Sequence, residues 1–168
     1  MNGLKKIKLK FDNIVDFIGM IAIAVMTIIV SLQVFSRYFF SYTPRWSEEV
    51  SLLLLVWVSF IGIAVGFREK LHIGVGVFVG MLPKKYQTIF DYIAKVLLIG
   101  VAIIFIFYGL RFTSLMNNSI MAGTGLSQSV LYGAIPVSGF LMLIYGIELL
   151  FVKGMHQEWD DQEEGDEM

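Results

Sequence analysis

The sequence predicts an all-α integral membrane protein with four transmembrane helices and a short interfacial helix between the second and third. Its 168 residues are 57% hydrophobic and only 16% charged, whereas soluble domains are about 45–50% apolar and about 25% charged. Four apolar runs are each close to the roughly 20 residues that a helix needs to cross a bilayer. These runs are continuous and do not alternate with polar residues, which favours helices over a transmembrane barrel.

The four predicted spans cover residues 14–35, 49–67, 86–110 and 130–151. The first follows a lysine-rich start, as the apolar part of a signal peptide would, but residues 17–36 are uncharged over 20 positions. Arg37 and aromatic residues stand where a small-residue cleavage site would be, so we expect the first helix to remain uncleaved. Residues 1–155 are predicted to form one four-helix membrane domain, and the acidic residues 156–168 a disordered tail.

Two connecting segments have unusual compositions. Residues 71–82 are apolar but only 12 long before Pro83, which predicts an interfacial segment that is too short to span. Residues 112–130 are uncharged and rich in Ser, Thr, Asn and Gly. Two interpretations of this second segment stay open, a solvated loop or a loop that packs on another protein. Packing would cover large apolar side chains that otherwise face water, namely Phe112, Leu115, Met116, Ile120, Met121 and Leu126.

Basic residues set the predicted orientation, because they concentrate on the cytoplasmic side of membrane proteins. Nine fall on the side of the two termini: Lys5, Lys6, Lys8, Lys10, Arg68, Lys70, Lys84, Lys85 and Lys153. Three fall on the opposite side, Arg37, Arg45 and Arg111. Both termini and the acidic tail are therefore predicted to be cytoplasmic, as is the interfacial segment.

The sequence offers no set of residues for an active site. It has no cysteine and two histidines. His72 lies just past the second span and His156 lies in the tail, so no imidazole pair lies within a span to hold haem. There is no Gly-rich phosphate loop, GxSxG motif or HExxH motif. We therefore predict that the chain is not an enzyme and has no metal site and no cofactor.

Ionisable residues within spans usually mark ion or substrate paths, and this chain has few of them. Five occur within or at the ends of the predicted spans: Asp12, Asp16, Asp91, Lys95 and Glu148. We interpret them as helix-end anchors, with Asp91 and Lys95 at the favourable i, i+4 spacing for a pair. The alternative for this pair is a polar contact with a partner subunit. Gly62 and Gly66 form a GxxxG pattern, which predicts close helix packing on the second span.

The start of the second span combines aromatic, basic and acidic residues. The aromatic residues are typical of a membrane-surface belt: Tyr38, Phe39, Phe40, Tyr42 and Trp46. Pro44 marks the turn between the first two spans. Glu48 and Glu49 complement the positive end of the following helix, and Arg37 or Arg45 can pair with them across the turn. One helical stripe, suited to a helix–helix seam, contains Trp46, Glu49, Leu53 and Trp57.

The order of these residues resembles the signature of the small membrane subunit of TRAP (tripartite ATP-independent periplasmic) transporters, the DctQ-like family. The pattern is Arg37, Pro44-x-Trp46-x-Glu48-Glu49, Trp57, Gly62, Arg68-x-x-x-His72-Ile73 and Leu82-Pro83. The resemblance covers residues 10–155. The sequence departs from the pattern at Gly76, where many members of the family carry an acid.

The resemblance implies a scaffold subunit in the bacterial inner membrane. In such systems a periplasmic binding protein delivers an organic anion, commonly a carboxylate or sialic acid, and a large membrane subunit carries the transport path and sodium sites. The small subunit would brace the large one and help to dock the binding protein. On this basis we expect partner contacts from Arg37, Arg45, Trp46, Glu48, Glu49, Trp57, Asp91 and Lys95. Arg68 and His72 would lie at the cytoplasmic interface.

Two alternatives from other classes stay open. A membrane anchor of a redox enzyme would need to bind haem or quinone. A stand-alone small transporter would need its own polar path through the membrane, and Asp91 and Lys95 would be the first residues to test.

Overall fold

The structure, a computed structural model, describes residues 2–68 and 83–151. Its helices are α1 (Asn2–Phe40), α2 (Arg45–Arg68), α3 (Lys84–Leu115), a 3-10 turn (Met116–Asn118), α4 (Gln128–Tyr132) and α5 (Ala134–Phe151). Four segments are long and apolar enough to cross a membrane: Lys8–Phe40, Arg45–Arg68, Tyr92–Asn118 and Gln128–Leu150. The predicted all-α membrane class is therefore confirmed. The predicted interfacial segment at 71–82 and the acidic tail lie outside the described residues.

The first and third helices extend well past the predicted spans. α1 has 39 residues and is therefore about 58 Å long at 1.5 Å per residue, against a hydrocarbon core of about 30 Å. Hydropathy marks only the part of a helix that lies in hydrocarbon, whereas intrahelical hydrogen bonds continue through the polar flanks. The predicted spans, residues 14–35 and 86–110, are for this reason shorter than the helices that contain them.

The last span is divided into α4 and α5. Gly133 lies between them, and Pro136 occupies the first turn of α5. Proline has no N–H to donate to the preceding turn but is tolerated at the start of a helix. The chain therefore changes helix here without a long connection.

The long helices pack side by side in the spatial order α1, α2, α5, α3. α2 lies between α1 and α5, and α5 lies between α2 and α3, so the last helix in the sequence is an inner member of the row. In the described residues the backbone of α1 packs against α2 alone. A small core forms where α2, α3 and α5 meet, made of Ala64, Ala102, Met142 and Tyr145. Phe60 and Phe105 meet edge to face beside it, with ring centroids 5.8 Å apart.

Glycines allow α3 and α5 to approach closely. A Cβ atom built on Gly139 would lie 3.0 Å from the backbone nitrogen of Ile106, and one on Gly109 would lie 2.9 Å from the nitrogen of Pro136. Membrane helices associate largely through such close packing at small residues. By contrast, nothing lies within 4 Å of a Cβ built on Gly62 or Gly66. The predicted GxxxG packing is therefore not made within the described part of this chain.

Candidate functional site

The turn between α1 and α2 leads into the N-terminal end of the second helix, which the predicted orientation makes its outer end. Ser41 adopts a positive φ of 49°, and the chain resumes a helix directly after Pro44. Both the backbone nitrogen and the hydroxyl of Ser47 donate hydrogen bonds to the Pro44 carbonyl, at 3.1 and 2.7 Å. The predicted turn at Pro44 is present, and it directs the next side chains, including Glu49, toward the segment that follows α3.

Glu49 binds the backbone of a distant loop. Its carboxylate accepts hydrogen bonds from the backbone nitrogens of Gly123 and Thr124, both at 2.7 Å, and from the Thr124 hydroxyl at 2.8 Å. The pairing of Arg37 or Arg45 with the acids, which the sequence allows, is not made. Neither arginine forms an ion pair with any described residue. Backbone donors of residues 123 and 124 satisfy the carboxylate instead, a partnership 74 positions apart that local spacing does not indicate.

The same loop lies against the first residue of α2. A Cβ atom on Gly123 would lie 2.7 Å from the carbonyl carbon and oxygen of Arg45. Only glycine permits this approach, because a Cβ atom at this position would force the Arg45 backbone to shift. Met121 is buried, whereas Ile120 and Leu126 remain 68% and 45% exposed. The loop therefore packs in part on its own chain and presents a partly apolar outer surface, which leaves room for contact with another protein.

Trp57 makes a second contact between α2 and the later part of the chain. Its indole nitrogen donates a hydrogen bond to the Val130 carbonyl at 2.9 Å. Glu49 and Trp57 lie two turns apart on one stripe of α2, so both contacts lie on the face that meets α4 and the loop before it. The predicted seam thus has partners within the chain.

Other residues at this outer end remain exposed. Arg37, Arg45, Trp46 and Glu48 all face outward from the described fold. The guanidinium of Arg37 lies 5.7 Å from the centre of the Tyr38 ring. The remaining aromatic residues of the predicted belt are likewise exposed: Tyr38, Phe39, Phe40 and Tyr42. This end of the molecule therefore combines an ordered polar contact with an exposed aromatic and basic rim.

The opposite end of α2 carries an ion-pair network. One terminal nitrogen of Arg68 contacts both carboxylate oxygens of Asp16, at 2.8 and 2.9 Å, and the other lies 3.7 Å from Asp12. The hydroxyl of the buried Tyr145 donates to Asp12 at 3.1 Å. The guanidinium also lies 5.8 Å from the centre of the Tyr145 ring. Arg68 therefore joins α1 and α5 to the inner end of α2.

A further ion pair extends this network along α1. Lys8 pairs with Glu148 of α5, and Lys8, Asp12 and Asp16 follow one another at four-residue spacing, which places them on one face of the helix. The acids were predicted to be simple helix-end anchors. In the structure, Asp12, Asp16 and Glu148 instead form ion pairs between helices. Arg68 of α2 pairs with the two aspartates of α1, and Lys8 of α1 pairs with Glu148 of α5.

Lys95 is buried on α3, with 6% of its surface exposed. The side chain of Asp91, its predicted partner, and the whole of His72 lie outside the described residues, so their roles stay predictions. Among the described residues, no group of three or more His, Cys, Asp or Glu side chains is arranged to hold a metal ion.

Comparison with known proteins links this architecture to one family. The DctQ component of tripartite ATP-independent periplasmic transporters matches residues 26–153. A Haemophilus influenzae protein provisionally named as a TRAP transporter small permease is 32% identical over 79% of this chain and 81% of its own length. The sialic acid TRAP transporter small permease SiaQ of Vibrio cholerae is 24% identical over 88% and 86% of the two chains. The sialic acid permease SiaT of H. influenzae is 29% identical over 77% of this chain, which corresponds to 21% of that longer protein.

Proposed function

Because the chain belongs to the DctQ family of TRAP transporter small permease subunits, we propose that it is a non-catalytic scaffold in a sodium-driven importer of organic anions. It braces a large membrane subunit and helps to dock a periplasmic substrate-binding protein. As a multi-pass protein of the bacterial inner membrane, it holds both termini on the cytoplasmic side. This orientation follows the nine-to-three distribution of basic residues.

The arrangement of the helices in a row is the observation that carries the proposal. The backbone of α1 packs against α2 alone in the described residues, its contacts with α5 are polar side-chain contacts near one end, and most of its apolar side chains are exposed. A row of this kind leaves long apolar faces for lipid or for a larger membrane protein. The polar groups of α2 hold neighbouring segments together, as a scaffold requires. Most of this chain is similar to about one fifth of the longer SiaT permease, which supports a position beside a larger permease unit.

The outer end is the part of this chain that we assign to partner contact. Arg37, Arg45, Trp46 and Glu48 are exposed there, and aromatic residues and arginine are enriched at protein interfaces. Glu49 and Trp57 contribute indirectly, because each of them holds the later part of the chain against α2. We retain Asp91 and Lys95 as predicted contacts on α3, and His72 and Arg68 on the cytoplasmic side. We also retain the glycine pair of α2, where a Cβ on either residue would meet open space, as a surface for another helix.

The transported compound is proposed at the level of its chemical class. The relatives are named for sialic acid and C4-dicarboxylates, which are both carboxylic acids. We propose that the choice among them lies mostly with the binding protein.

Reconstitution tests the proposal directly. The chain, its large membrane subunit and the binding protein are placed in proteoliposomes with an inward sodium gradient, and uptake of radiolabelled sialic acid and of a C4-dicarboxylate is measured. We expect uptake only when all three proteins are present, together with stable co-purification of the two membrane subunits. Uptake by vesicles that contain this chain alone would identify a stand-alone transporter, and a haem absorption band in the purified chain would identify a redox anchor.

A charge reversal tests the assigned surface. We expect Glu48→Lys to reduce uptake by the full system several-fold while the chain still inserts and folds, because Glu48 makes no ion pair with the described residues. The matched control is Glu148→Gln at the cytoplasmic end, which we expect to leave binding-protein affinity unchanged. If Glu48→Lys changes neither assembly nor uptake, the outer rim is not a partner surface.

A further inference from the structure

We propose that Gly123 and Thr124 form a carboxylate-binding turn whose resident ligand is the side chain of Glu49. The loop after α3 is thereby latched to α2 by the same chemistry that binds a free organic acid. The inference concerns only this chain and does not rest on its place in a transporter.

The donors converge on one carboxylate as they would on a bound ligand. Two consecutive backbone N–H groups point at its two oxygens, and the Thr124 hydroxyl reaches the oxygen that the Thr124 nitrogen also contacts. Successive backbone N–H groups form anion-binding concavities in many proteins. Hydrogen bonds to an ionised carboxylate are also roughly twice as strong as those between neutral groups. The three distances of 2.7–2.8 Å are within the range for such bonds.

The loop forms this turn with hydrogen bonds of its own. The backbone nitrogen of Met121 donates to Leu126 at 2.8 Å, and that of Gly125 donates back to Met121 at 2.9 Å. Gly125 has a φ of +70°, a conformation that glycine adopts without strain. The turn therefore orients its donors independently of Glu49, which supplies only the negative charge.

The geometry also defines what the turn would accept. Truncation of Glu49 to alanine removes the carboxylate but leaves the donors, and the close approach of Gly123 to Arg45 keeps them near the surface of α2. The space left is that of a methylene and a carboxylate group. The matching ligand class is a small monocarboxylate such as formate or acetate.

Hydrogen–deuterium exchange of the full chain in lipid nanodiscs tests the inference. We expect Glu49→Ala to speed exchange of the peptide covering residues 119–127 about tenfold or more, because two amides lose their acceptor. Sodium formate at about 0.1 M should restore slow exchange, since a single anion on three donors binds weakly. Sodium chloride at the same ionic strength should not.

Two further variants keep the outcome decisive. Glu48→Ala, at the exposed neighbouring position, should leave exchange of this peptide at the wild-type rate. Thr124→Val removes one donor and keeps the shape of the side chain, so it should speed exchange by a smaller factor and weaken rescue of the Glu49→Ala protein by formate. The proposal is overturned if Glu49→Ala exchanges at the wild-type rate, or if formate and chloride act alike. If Glu49→Ala also speeds exchange where α3 packs on α5, Thr124→Val alone decides by its exchange rate. This variant should speed exchange of the 119–127 peptide, and exchange at the wild-type rate overturns the proposal.

Discussion

Arg68 is the residue whose removal we expect to destabilise the described fold most. The change Arg68→Gln keeps a long polar side chain but deletes the cation that faces Asp16 and Asp12. The side chains of Arg68 and Asp12 are only 12% and 13% exposed, whereas that of Asp16 is 36% exposed. The substitution therefore leaves one carboxylate almost buried and a second partly solvated, with no cation between them.

The size of the effect follows from these distances and exposures. Two unit charges about 2.8 Å apart attract by about 6 kcal/mol at an effective dielectric constant of about 20. Desolvation of the ions offsets part of this attraction, and removal of one partner of a buried pair typically costs about 3–5 kcal/mol. Because Asp16 is partly exposed and its pair is screened by solvent, we expect a loss of about 2–4 kcal/mol.

The assay is equilibrium unfolding in mixed detergent micelles, followed by circular dichroism, for Arg68→Gln, Asp16→Asn and the double variant. The double variant should be less destabilised than the sum of the single variants by at least about 1 kcal/mol, as expected for directly coupled partners. Arg37→Gln is the matched control, because this exposed arginine makes no described ion pair, and it should change stability by less than about 0.5 kcal/mol. A loss for Arg68→Gln as small as that of the control, or strict additivity in the cycle, would refute the reasoning.

Two further outcomes are expected in the same unfolding assay. Gly139→Ala should be about 1–3 kcal/mol less stable than Gly62→Ala, because the new methyl group strains the packing of α5 on α3 only at Gly139. Both variants gain similar helix propensity. Equal stabilities would contradict the close packing of these two helices. Trp57→Phe should cost about 0.5–1.5 kcal/mol through loss of its bond to the Val130 carbonyl. Trp46→Phe, at an exposed position, should be nearly neutral, and similar losses for both tryptophans would remove Trp57 from its bonding role.

The number of spans and their helical class could be predicted from the sequence, because hydropathy identifies the segments that can lie in the bilayer. Each long helix contains an apolar run of nearly the required length, and no run of the described residues was misassigned. Helix ends were less accessible. Residues on either side of the apolar run of α1 are polar, and whether they continue the helix depends on hydrogen bonds and flanking contacts that hydropathy does not measure.

Packing glycines could not be chosen from local patterns. Gly62 and Gly66 have the recognised four-residue spacing, yet a Cβ on either would meet open space. Gly139 and Gly146 are seven apart, and a Cβ on each would meet side chains of α3. Spacing shows which residues share a helix face but not which face meets another helix, and that depends on the order in which the helices pack.

The candidate site was identified in part. The unusual group around Glu49 was recognised, but the sequence allowed a partner nearby among the arginines. The actual partners are two backbone amides and the Thr124 hydroxyl. Backbone amides have no signature in residue type, although the Gly-Thr-Gly run at 123–125 marks a turn. Arg68 belongs to the family pattern, but its partner Asp16 could not be predicted from the sequence, because their pairing depends on how α1 and α2 pack against each other.

The position of α5 within the row has a consequence for biogenesis. Chains fold largely from the N-terminus as they are synthesised, so α1 and α2 can pair as soon as both have entered the bilayer. α3 enters next but lacks its principal neighbour, because the helix against which its glycine seam packs is made last. The final helix must therefore insert between two segments that are already in the membrane. A chain truncated before residue 134 would therefore leave a paired hairpin and a third helix without its principal neighbour.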